Sequence, residues 1–133
     1  MKRRMLAFVA TGALILAAQP AATAAAADEC GLKANRPTSS DGTTVRAFSR
    51  AACMFDGAGT NKYSRVASRV ERGATKYSYG YSPISSGTWL LSTYSAAVNC
   101  NGWGTNVSVR NYSWVRLTDE SYQYASTSGT ITC

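Results

Sequence analysis

Four cysteines, Cys30, Cys53, Cys100 and Cys133, restrict how this 133-residue chain folds more than any other feature. An even set of thiols in a short chain reads as a disulfide framework when the chain matures in an oxidising compartment. Four cysteines allow three connectivities. Cys30 with Cys53 and Cys100 with Cys133 is the favoured set, and the other two pairings stay open. In the chain-entropy picture each closed loop is worth about 3 kcal/mol, a large share of an ordinary domain's stability. A zinc site is the rival use of four thiols, but the chain has no C-x-x-C pair and no histidine, so no metal site is expected.

The N-terminus predicts that oxidising compartment. Lys2, Arg3 and Arg4 precede an uncharged apolar run from Met5 to Ala18, which Gln19 and Pro20 then interrupt. Such a run is shorter than the roughly 20 residues of a membrane-spanning helix, so no membrane span is expected. Small residues follow, and Ala22-Thr23-Ala24 and Ala25-Ala26-Ala27 both satisfy the cleavage rule. Residues 1–27 therefore read as a secretory signal peptide cleaved after Ala27, with Ala24 as the alternative. Asp28 and Glu29 separate this site from Cys30, which speaks against a lipid anchor. The expected product is a secreted, extracellular, single β-rich domain of residues 28–133, and a monomer.

Beyond residue 27 the chain holds eleven Lys and Arg against seven Asp and Glu, a net charge of about +4. Arg36, Arg46, Arg50, Lys62, Arg65, Arg69 and Arg72 crowd its first half. They suit either anionic partners or a solvated surface, and without a contiguous basic run no specific nucleic-acid partner is expected. The absence of histidine excludes Ser-His-Asp and Cys-His hydrolases. There is no G-x-S-x-G elbow and no phosphate-binding loop. Asp41, Asp56, Glu71, Asp119 and Glu120 are the only acids well inside the domain, and adjacent Asp119 and Glu120 make a poor acid/base pair. The chain is not expected to be an enzyme, nor to carry a cofactor. Asp56 to Asn61 is a glycine-rich turn with too few carboxylates for tight calcium binding.

Ser, Thr, Gly and Tyr dominate beyond residue 27 while Leu, Glu and Gln are scarce, which predicts an all-β domain. Thr43 to Phe48 reads as a strand with Val45 inward. Lys62 to Arg72 fits both periods: Tyr63, Val66, Ala67 and Val70 make a helical stripe, yet Val66 and Val70 also share a strand face opposite Arg65 and Arg69. Strand-like neighbours favour the strand. Thr75 to Ser82 alternates most cleanly, with Tyr77, Tyr79 and Tyr81 on one face. Pro83 to Gly87 turns the chain, Thr88 to Val98 is a longer strand, and Asn101 to Gly104 is a second tight connection. Val107, Val109 and Val115 alternate against Arg110, Tyr112, Trp114 and Arg116. Tyr122 and Tyr124 share one side of the next strand, Ser128-Gly129 turns, and Thr130 to Cys133 closes the chain. Six or seven short strands at this spacing predict a small disulfide-bonded β-sandwich or barrel.

The alanine-rich leader, four cysteines and C-terminal Cys133 resemble small exported β-rich proteins of actinobacteria. That resemblance implies location and fold, and transfers no functional residue. The positive functional signal is aromatic: eight tyrosines and three tryptophans stand beside only thirteen Val, Ile and Leu beyond residue 27. Some rings must fill the core, where Tyr replaces Leu, and others are free to lie on the surface. Tyr77, Tyr79 and Tyr81, or Arg110, Tyr112, Trp114 and Arg116, form the candidate binding rows, since flat rings stack on ligands and Arg adds cation–π and anion contacts. The leading expectation is a secreted non-catalytic domain that binds an extracellular polysaccharide or cell-wall polymer through an exposed aromatic face. The alternatives are a secreted antagonist, either a bacteriocin-like toxin or a protease inhibitor with a braced loop at 53–62 or 99–104, and a structural coat or matrix component.

Overall fold

With β-branched and aromatic residues at alternate positions and few helix formers, the backbone satisfies its hydrogen bonds between strands. The computed structural model describes residues 30–53 and 62–133. The strands there are β1 (Cys30–Ala34), β2 (Thr44–Val45), β3 (Phe48–Cys53), β4 (Tyr63–Arg72) and β5 (Thr75–Lys76). They continue as β6 (Gly80–Tyr81), β7 (Leu90–Tyr94), β8 (Val98–Asn99), β9 (Val107–Leu117) and β10 (Tyr122–Ile131). The leader expected at 1–27 and the turn at Asp56–Asn61 lie outside the described residues.

One sheet has the order β10-β9-β4-β5, with β6 also paired to β4; a second is β1-β3-β7, and a third is β2-β8. The two larger sheets are open and pack on one another, so the domain is all-β and built as a sandwich. The favoured disulfides are present. Cys30–Cys53 staples β1 to β3 where the two residues are register partners, and Cys100–Cys133 ties the chain after β8 to the segment after β10. Among the described residues no helix is long and apolar enough to cross a membrane.

Of the stretch Lys62–Arg72, Tyr63–Arg72 is a strand, with Val66 and Val70 buried and Arg65 and Arg69 on the opposite face. Val45 is fully buried, but Thr43–Phe48 is not continuous: β2 ends at Val45, Arg46 bridges to Thr38, and β3 begins at Phe48. Thr88–Val98 splits at Ser95, whose Oγ accepts the Ala47 N–H and whose N–H donates to the Ala47 carbonyl, so β7 ends there and β8 pairs with β2 instead. Ser128-Gly129 is no turn. β10 runs straight through it, and Gly129 leaves room for the Arg36 side chain, which a Cβ would approach to 3.2 Å.

Thr75–Ser82 departs furthest from expectation. Lys76 pairs with Glu71, whereas Tyr81 pairs with Ala67, so one extra residue is inserted between the two short strands. A one-residue insertion flips side chains to the other face. Tyr77 donates its N–H to Val70 and packs inward, while Tyr81 lies outward opposite Ala67. The three tyrosines therefore do not form one row.

Between the sheets lie two apolar clusters, one around Val45, Val70, Val98, Cys100 and Val109, the other around Ala51, Tyr63, Val66 and Val115. A buried polar layer separates them. Ser49, Ser68, Asn111 and Ser113 occupy inward positions between the apolar ones, and each is fully buried. Asn111 Nδ2 donates to the carbonyls of Asn35 (2.9 Å) and Phe48 (3.0 Å) and lies 2.9 Å from Ser49 Oγ. Its Oδ1 accepts from Ser68 (2.8 Å) and Ser113 (3.0 Å), and the hydroxyls of Ser49 and Ser113 also bond one another. With every member partnered, the layer carries little desolvation penalty and pins the register of β3, β4 and β9.

Candidate functional site

The outer face of the five-stranded sheet collects most of the expected site residues. Period-2 alternation in β9 turns Val109, Asn111, Ser113 and Val115 inward, and so sends Arg110, Tyr112, Trp114 and Arg116 outward. The antiparallel register then sets Tyr124 beside Trp114, Tyr122 beside Arg116, Arg69 beside Tyr112 and Glu71 beside Arg110.

Six rings touch in sequence across this face. Tyr81 and Tyr79 lie 5.8 Å apart between centroids and each lies 6.0 Å from Trp114. Trp114 meets Tyr122 edge-on at 5.4 Å, Tyr122 stacks on Tyr124 at 6.2 Å, and Tyr124 reaches Tyr112 at 6.2 Å. These separations fall within the attractive range for aromatic pairs. Tyr81, Tyr122 and Tyr124 remain 48%, 45% and 62% exposed, so the chain of rings is open to a ligand at both ends.

Arginines are interleaved with the rings. The Arg65 guanidinium lies 4.4 Å from the Tyr81 centroid, and Arg69 lies 4.7 Å from Tyr79 and 4.9 Å from Tyr112. Arg110 stands 5.8 Å from Tyr112. Arg69 and Arg110 share the carboxylate of Glu71, through Arg69 Nε at 2.7 Å and Arg110 Nε at 3.0 Å. Burial raises the Glu71 pKa, but the hydrogen bonds and charges of Arg110 and Arg69 outweigh that and leave the carboxyl below its ordinary range. Arg116 pairs with Glu120 at 2.8 Å. Burial also raises the Tyr79 hydroxyl pKa, with Arg69 opposing, so this phenol stays neutral at physiological pH.

Tyr79, Tyr81, Arg110, Tyr112, Trp114 and Arg116 are thus brought together. Tyr77 is not with them: it packs against Trp103, 5.9 Å away, at the Cys100–Cys133 end, where Arg72 covers the indole. The structure adds Tyr122, Tyr124, Arg65, Arg69 and Glu71. Their signal was in the sequence as outward parity on strands flanking Val115, and needed only the register to be placed.

Two shallow depressions lie elsewhere. One, of about 480 Å3, runs between Leu32–Arg36 and Ala125–Thr127; the other, of about 570 Å3, is bounded by Thr38, Asp41, Arg46 and Tyr94. Neither is lined by the six rings. The stretch 99–104, considered as an inhibitory loop, is held by Trp103 N–H to Cys100 and by paired bonds between Gly104 and Cys133, with Trp103 half-buried. Most of the loop at 53–62 lies outside the described residues. Among the described residues no cluster of potential metal ligands occurs. No protein-family model, no curated protein and no solved structure matches the chain.

Proposed function

We propose that the chain is a secreted, non-catalytic binding domain that holds an extracellular or cell-envelope polymer, a carbohydrate, against the outer face of its five-stranded sheet. The observation that carries this reading is the contiguous run of six rings interleaved with arginines on the outer face of the sheet, with three of the rings exposed. A contiguous apolar surface rimmed by polar groups commonly marks an interaction site. Flat rings offer stacking area to sugar faces without ordering cost, and the guanidinium groups between them supply hydrogen-bond donors to hydroxyl and acidic substituents. A run of rings that crosses three neighbouring strands suits an extended chain, which can engage several rings at once. Glu71, held by Arg69 and Arg110, fixes two of the guanidinium groups beneath the rings.

Retention on insoluble peptidoglycan, chitin and cellulose tests the reading. The wild-type chain should co-sediment with at least one of them, and Y122A/Y124A should lose about tenfold or more in affinity, from two ring contacts of about 0.5–1.5 kcal/mol each. The double variant also loses ring contacts to Trp114 and Tyr112, so circular dichroism at the assay temperature must show it folded before retention is compared. A wild-type chain that stays in the supernatant with all three polymers would refute the proposal, and so would unchanged retention of the double variant.

A further inference from the structure

A sheet edge exposes unpaired N–H and C=O groups and is a template for another strand, so natural proteins keep edges short, charged or covered. Three edges here conform. β5 and β6 have two residues each, β1 has five with Lys33 among them, and β7 has five. β10 conforms least, with the Arg36 side chain packed on it at Gly129. It is ten residues long, and from Ser121 to Cys133 the chain contains no charged residue and no proline.

The parity of β10 determines which groups face outward. Leu117 N–H donates to Ser121 across the β9–β10 turn, so Gln123, Ala125, Thr127, Gly129 and Ile131 turn their backbone groups toward β9. Tyr122, Tyr124, Ser126, Ser128 and Thr130 turn theirs away, and among the described residues no other backbone group bonds to them.

We propose that two copies of this chain associate through β10, antiparallel across a two-fold axis at Ser126, and merge their five-stranded sheets into one. In that register Tyr122 pairs with Thr130 of the second copy, Tyr124 with Ser128, and Ser126 with its own equivalent. All five outward residues meet outward residues, and no charge opposes another. A second copy is an occupant that brings no charge to the edge, since β10 itself carries none. The chain is basic and its arginines lie on the outer face, yet Arg110 and Arg116 on the two β9 strands would stand three strand spacings apart, about 14 Å. That exceeds the screening length of about 8 Å at physiological salt, so like charge does not oppose the pairing. A two-fold contact also closes on itself, because each copy uses its single long edge and leaves only short ones exposed. The run of rings ends at Tyr122 and Tyr124 on this edge, so pairing would continue the aromatic face from one copy into the next. The proposal departs from the monomer expected from the sequence. It stands on the backbone of β10 and does not depend on the polymer reading.

Sedimentation velocity on the oxidised chain from micromolar to high micromolar concentration is the test. The wild type should show a concentration-dependent doubling of mass. S126K sets two lysines opposite one another on the axis, and S126P removes an N–H that β9 does not use; both should be monomers with unchanged circular dichroism. S108K, an equally exposed change on β9 away from the edge, should still dimerise. A wild type that is monomeric throughout overturns the proposal, as does open-ended assembly, or a dimer that survives both Ser126 substitutions.

Discussion

Glu71 on β4 and Arg110 on β9 stand directly opposite one another, and Arg69 closes on the same carboxylate from two residues along β4. Glu71 is only 2% exposed although it belongs to the outer face, because the two guanidinium groups cover it. One anion thereby holds two cations beneath the rings of Tyr79 and Tyr112, and sets the spacing of that part of the face.

This arrangement makes stability depend on pH in a definite direction. The folded state holds the Glu71 carboxyl below the reference value of 4.5, so on acidification the unfolded chain takes up this proton first. The contribution is therefore complete above about pH 4.5 and is lost as pH falls through the lower folded value. Thermal unfolding between pH 7 and pH 3 should show the wild type losing stability over this range. E71Q should begin about 1 kcal/mol less stable at pH 7, within the range for partly exposed pairs, and have a shallower acid slope. Parallel slopes in the two proteins would show that other carboxyls govern acid sensitivity.

The buried amide of Asn111 predicts a larger effect. Replacing it by Ala removes the acceptor of the Ser68 and Ser113 hydroxyls and strands the carbonyl of Asn35, while the Phe48 carbonyl keeps the Asn35 N–H. Each stranded buried group costs about 1–3 kcal/mol, partly recovered where water enters the cavity. Urea denaturation should give a loss of about 2–4 kcal/mol for N111A and less for S113A, because Ser49 and Asn111 retain each other. A loss below about 1 kcal/mol for N111A would mean the layer is not a structural clasp.

This layer also shows where reading the sequence reached its limit. The alternation of Val107, Val109 and Val115 against Arg110, Tyr112, Trp114 and Arg116 was legible because burial and charge alternate with the same period of two. Asn111 and Ser113 share the parity of the valines, but polarity hid their burial; only contact with β3 and β4 supplies the partners that make it tolerable. The disulfides were legible because an even set of cysteines has few solutions. The tyrosine row was misread for a different reason. Perfect alternation from Tyr77 to Tyr81 assumes a regular strand, and a single inserted residue between β5 and β6 reverses the face.

Gly80 is where that insertion meets the rest of the fold. A Cβ there would lie 2.0 Å from the Tyr94 carbonyl oxygen and 2.8 Å from the Ser95 carbonyl carbon, both backbone atoms with no freedom to swing aside. G80A must separate β6 from β7, and should cost about 2–4 kcal/mol in urea denaturation, at the upper end of single-residue effects. Because β6 carries Tyr81 onto Trp114, the same variant should shift the tryptophan fluorescence. A G80A chain of wild-type stability would show that β6 does not make this close approach.

Trp114 and Tyr124 allow binding and stability to be separated on the aromatic face. Trp114 sits centrally, touching Tyr79, Tyr81 and Tyr122 and lying opposite Ala67, whereas Tyr124 is at the rim and mostly exposed. Truncating Trp114 therefore removes three ring contacts along with part of a buried surface, a loss of about 1–3 kcal/mol in stability. Truncating Tyr124 removes rim contacts and should change stability by no more than about 0.5 kcal/mol. If the face binds a polymer, Y124A should lower retention at constant melting temperature, while W114A should lower both. If the rings only cover the sheet, W114A alone should have an effect, confined to melting. Measuring polymer retention and thermal unfolding on the same two preparations decides between these outcomes.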